Sequence, residues 1–87
     1  MNSRHRRILA RIFAEPTPAD LRWNEIEALL RSVGTEISEG AGSRVRVALR
    51  GVRAVFHRPH PNLQARRSMV RAVRAFLAAA GVEPEKE

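Results

Sequence analysis

The sequence predicts an α+β domain: a three-stranded antiparallel sheet with helices packed on one face, plus an extra helix at the amino end. Two observations carry this reading. Residues 44–57 alternate apolar and polar with period two, and the alternation is interrupted once, at Arg50-Gly51. On either side of that segment apolar residues recur with helical spacing, from Trp23 to Val33 and from Met69 to Ala80. The chain has 87 residues, which is enough for one small core. It has no cysteine, so disulfides, thiol nucleophiles and cysteine-containing zinc sites are excluded.

Ile8, Leu9, Ile12 and Phe13 recur at helical spacing, which predicts a first amphipathic helix from about Arg4 to Ala14. Pro16 and Pro18 cannot continue it, and Asp20 is the expected N-cap of the next helix. In that second helix Trp23, Ile26, Leu29, Leu30 and Val33 form one apolar stripe, and Gly34 supplies a left-handed stop. Trp23 is expected in the core rather than exposed as a base-stacking ring. TEISE reads as a short strand and GAGS as a loop.

With Arg50-Gly51 as a two-residue turn, the hairpin register follows. Leu49 then faces Val52, Val47 faces Ala54 and Val45 faces Phe56 on one side. The other side carries Arg44 opposite His57, Arg46 opposite Val55, and Ala48 opposite Arg53. A slip of one residue would exchange the faces, so the pattern itself argues for the register. HRPHPN is punctuated by proline and cannot be a central strand. The last helix turns Met69, Val70, Val73, Phe76, Leu77 and Ala80 inward and Arg67, Arg71 and Arg74 outward, and it ends at Gly81. The expected organisation is a helical extension over 1–20, one domain over 21–82 and a polar tail over 83–87.

Charge supplies the functional lead. Between Gly40 and Val82 there are nine arginines, two histidines and no carboxylate. Such a surface repels itself unless it meets an anion, and the common macromolecular anion is nucleic acid. No acid stands at i±3 or i±4 of Arg67, Arg71 and Arg74, so the stripe is expected to be unpaired and to contact phosphate. No apolar run approaches the roughly 18 residues of a membrane span. The basic amino end lacks the apolar stretch and small-residue site of a signal peptide, and a cytoplasmic protein is expected. The two histidines near the sheet have neither the spacing nor the acidic neighbours of a metal site, so no metal and no small-molecule cofactor is expected.

Helix, three strands, helix is the layout of the double-stranded-RNA-binding fold, and the chain resembles the HicA toxins of bacterial toxin–antitoxin systems. WNEIEALLRSVG is similar to that family's opening helix, GS followed by an alternating strand to part of its Gly-Ser-His motif, and PHP with a helix ending FLAAAGV to its closing segment. The likeness covers Trp23 to Val82. It implies a small ribonuclease that acts on messenger RNA and is silenced by a HicB-like protein antitoxin.

The family's histidine follows Gly-Ser, whereas here Gly42-Ser43 is followed by Arg44. His57 stands directly across the hairpin from Arg44, where opposed Cβ atoms are about 4.5–5.5 Å apart. An imidazole is thus available near the expected place, supplied by the neighbouring strand. Histidine suits proton transfer near neutrality, and a guanidinium suits a crowded phosphate. The expected catalytic group is His57 with Arg44 and His60. The expected RNA contacts are Ser43, Arg44, Arg46, Arg53, Arg58, Arg67, Arg71 and Arg74.

Plainer alternatives stand beside these. His57 also fits a solvated strand end, His60 a turn residue, and the arginine stripe a solvated helix face. Ser43 has no partners that would make it a nucleophile. At the level of the whole chain, the rivals are a catalytically inactive module that binds RNA or its antitoxin, and a basic DNA-binding protein.

Overall fold

A computed structural model describes residues 1–85 of the chain, and the end of the expected polar tail lies outside them. The order is α1 (Ser3–Ile12), α2 (Trp23–Ser32), β1 (Glu36–Glu39), β2 (Arg44–Leu49), β3 (Val52–His57) and α3 (Arg67–Ala79). The strands form one antiparallel sheet in the order β1-β2-β3.

The hairpin register is the one that the alternation predicts. Arg44 pairs with His57, Val45 with Phe56, Arg46 with Val55, Val47 with Ala54, Ala48 with Arg53, and Leu49 with Val52. Arg50 and Gly51 both have positive φ, 50° and 82°. That conformation suits a two-residue hairpin turn and is unusual for arginine. The Arg50 side chain helps to hold it by donating from Nη1 to the Ala80 carbonyl, 3.1 Å away.

The apolar face of the sheet is covered by α2 and α3. Phe56 meets the Trp23 ring edge-on at 6.2 Å and the Phe76 ring at 6.0 Å. Trp23 is 2% exposed, and its Nε1 donates to Glu27 at 2.8 Å, which satisfies the one polar group it takes inside. The first helix packs against α2 and α3. Its Ile8, Leu9 and Ile12 belong to the same buried core as Val45, Val73 and Leu77.

Two local expectations need correction. Asp20 does not cap α2: the helix begins at Trp23, and Arg22 occupies the cap position. The Glu25 carboxylate accepts from the Arg22 amide at 3.0 Å, while Asp20 pairs with Arg11 instead. The start is displaced because Leu21 and Trp23 are tied to the segment before α3: the Ala65 amide donates to the Leu21 carbonyl at 2.7 Å, and the Trp23 amide to the Leu63 carbonyl at 2.6 Å. The outward stripe of α3 is also not uniformly solvated. Arg74 is turned into the seam with the N-terminal segment, and its side chain is 21% exposed.

Candidate nucleic-acid interface

The side of the sheet away from the helices is open. Arg44, Arg46, Arg53 and His57 are all exposed on it, and Val55 lies among them at 52% exposure. The three guanidiniums make no hydrogen bond or ion pair among the described residues. From β1, Ser38 pairs with Arg46 and Glu36 with Ala48, so these two also belong to this face. Glu36 is its one carboxylate among the described strand residues, placed at the end of the sheet far from His57. The sequence reading missed it because the parity of so short a strand was not fixed.

Local sequence explains how Arg44 reaches its place. The GAGS loop folds back so that the Gly40 amide donates to the Arg44 carbonyl at 2.9 Å. A Cβ on Gly40 would come within 3.0 Å of the Arg44 Cβ, so a larger residue there would push the strand away. Beyond the last rung, the Arg58 amide donates to the Ser43 carbonyl at 2.9 Å, which extends the pairing past His57. Ser43 itself is half-buried.

Next to this end of the hairpin is a cleft of about 680 Å³. Its walls are His57 and Arg58, the proline-flanked His60, Gln64, and the start of α3 at Arg66, Arg67 and Ser68, with Ala19 of the linker opposite. The cleft therefore brings His57, His60 and Arg67 together. Arg44 adjoins it through its rung with His57, whereas Arg46 and Arg53 line a second, shallower depression on the sheet. Arg66 and Ser68 were not expected in a site. Only the packing of the loop against α3 places them there, and no sequence pattern reports it.

Three of the expected RNA contacts are partly or wholly engaged within the protein. Arg58 makes a two-pronged pair with Glu39, both contacts at 2.6 Å, and also lies 3.7 Å from Glu27. The hydrogen bond from Arg58 holds the Glu39 carboxyl below the usual carboxylate range, and Glu39 in turn raises the pKa of Arg58. Arg74 donates to the carbonyls of Ile12 and Ala14, to Glu15 and to Thr17 Oγ1. Arg67 donates from Nε to the Thr17 carbonyl at 3.0 Å, leaving its terminal nitrogens available. The expectation of an unpaired stripe is thus corrected: the partners of Arg67 and Arg74 come from residues 12–17, remote in sequence. Arg71 alone of that stripe is exposed with no partner among the described residues.

A single helix, a three-stranded antiparallel sheet and a second helix, with a basic open face, define a small α+β domain of the double-stranded-RNA-binding type. The sequence model described as HicA toxin of bacterial toxin–antitoxin matches residues 23–82, which run from the first residue of α2 to just past α3. The chain belongs to the HicA toxin family, and membership implies a cognate antitoxin. No curated protein and no solved structure matches the chain. Among the described residues, no helix is long and apolar enough to cross a membrane.

Proposed function

We propose that this toxin binds messenger RNA on the open face of the sheet and cleaves it at the adjoining cleft without a metal ion. We further propose that its antitoxin, a HicB-like protein, silences it by covering this face. The observation that carries the reading is the Arg44–His57 rung opening onto a cleft that also contains His60. Cleavage of RNA needs a base to take the proton from the 2′-hydroxyl as its oxygen bonds to phosphorus. It also needs an acid to protonate the 5′-oxygen as the P–O bond breaks, and positive charge on the crowded phosphate. His57 and His60 supply the two proton-transfer roles and Arg44 the charge. Arg46 and Arg53 on the open face and the free end of Arg67 in the cleft hold the strand, with Ser43 beside them. Arg71, one turn further along the outer side of α3, contacts the strand where it runs past the cleft. Arg58 and Arg74 serve mainly through the bonds that fix the loop and the linker.

The test is growth on induced expression of the wild type beside His57→Ala, with breaks mapped on cellular RNA and cleavage repeated with purified protein in EDTA. Growth arrest with mapped breaks that depend on His57 is the expected result. One observation favours a second reading, a binding module without chemistry: Gly42-Ser43 is followed by Arg44 where the family has histidine. Growth arrest without any breaks would select it.

A further inference from the structure

The first helix carries a second basic surface, outside the residues that the family model matches. Residues 1–14 contain four arginines and no acid. Arg11 is neutralised by Asp20. Arg4, Arg6 and Arg7 are exposed, and their guanidiniums have no hydrogen-bond or ion-pair partner among the described residues. Stability does not explain them. The first turn of α1 has no acidic residue, and cations there oppose the helix dipole instead of complementing it. Nor does packing explain them, since the core contacts of this helix are made by Ile8, Leu9 and Ile12.

We infer that the exposed face of α1 is a second phosphate-backbone contact, which engages the same RNA or another segment of it on the helical side of the molecule. This choice of RNA rests on the function proposed above. The chemistry of the face selects a polyanion read by charge alone. The other exposed residues of the helix are small, Ser3 and Ala10, and Met1 just before it is the one large apolar side chain exposed beside them, which is less than the clustered aromatic and aliphatic anchors that protein interfaces use. Its apolar stripe, Ile8, Leu9 and Ile12, is already buried in the core, so the helix has no apolar face to lay into a lipid surface. The Asn2 side chain accepts from the His5 amide at 2.8 Å and orders the first turn, so the three arginines are presented on a formed helix. Because α1 packs on α2 and α3, its arginines and those of the open face lie on opposite sides of the sheet.

The test uses the whole chain and a 2′-O-methyl RNA, which lacks the attacking hydroxyl and stays intact. Affinity is measured between about 50 and 200 mM salt for the wild type, for R4A/R6A/R7A, and for R44A/R46A. Three lost phosphate contacts on a single strand should make the slope of log K against log salt shallower by about 2. Affinity at low salt should fall about tenfold or more, and lysine at the same three positions should restore most of the slope. Alanine favours helix, so the fold should persist, and single substitutions read the same change in smaller steps. Unchanged affinity and slope in the α1 variant would overturn the inference. So would loss of antitoxin binding with RNA affinity intact, which would make the face a protein contact. If R44A/R46A leaves affinity unchanged while the α1 variant loses it, the sheet reading fails and the α1 inference stands.

Discussion

Arg71 and Arg74 look alike in the sequence, one helical turn apart on the same stripe, yet the structure gives them opposite work. Arg74→Ala removes bonds to the Ile12 carbonyl at 2.8 Å, the Ala14 carbonyl at 3.0 Å, Thr17 Oγ1 at 3.2 Å and Glu15 at 2.7 Å. The Glu15 pair is exposed and contributes little. The two carbonyls lie at the carboxy end of α1, where no helical amide reaches them, and Thr17 is buried. Hydrogen bonds from a charged donor contribute about 1.5–3 kcal/mol each but do not add fully, so a total near 2–3 kcal/mol is expected. In a domain of this size that lowers the melting midpoint by roughly 10–20 °C. Arg71→Ala touches no such network and should stay within about 0.5 kcal/mol of wild type. Lysine at 74 reaches one acceptor where the guanidinium fork spans several, and should recover less than half of the loss. Urea unfolding followed by circular dichroism measures all three. Equal losses at 71 and 74 would refute the assignment of Arg74 as the anchor of the N-terminal segment.

Three further expectations follow from the same geometry. Glu39 and Asp20 titrate below their ordinary range, because Arg58 and Arg11 respectively hydrogen-bond their carboxylates. The unfolded chain therefore binds protons first, so their stabilisation is fully present above about pH 4.5 and is lost as pH falls through the lowered folded values. Glu39→Gln should flatten that acid loss in a pH series, and an unaltered series would show that the pair does not contribute. R44A/R46A should make the salt slope of RNA affinity shallower by about 1.4 for a single strand, and an unchanged slope would remove the open face from the interface. Co-expression of the antitoxin should restore growth and shield His57 from imidazole-directed modification. An antitoxin that restores growth while His57 stays fully reactive would rule out simple covering.

How far the sequence disclosed this molecule depended on the range of the interaction. The hairpin was legible because strict alternation leaves one register that buries Val45, Val47 and Phe56 together, and Arg50-Gly51 marks the turn. The stripes of α2 and α3, and their stops at Gly34 and Gly81, were legible for the same local reason. Pairings across 19 residues, as for Arg58 with Glu39, or 59 residues, as for Arg74 with Glu15, leave no periodic trace. The same holds for Asp20, whose short polar side chain suits a cap but which is drawn to Arg11 by the packing of α1. Of the candidate site, the Arg44–His57 rung followed from the register. Its neighbourhood with His60, Arg66 and Ser68 required the fold.

The central claim is that His57, from β3, serves where the family motif places a histidine on the facing strand. The most direct test is RNA cleavage by purified wild type, His57→Ala, and the double variant carrying Arg44→His with His57→Ala, with RNA affinity measured in parallel. The account predicts that His57→Ala abolishes cleavage while keeping its fold and most of its affinity, and that the double variant regains cleavage, since the two positions share one rung. Full cleavage by the His57→Ala protein would contradict it.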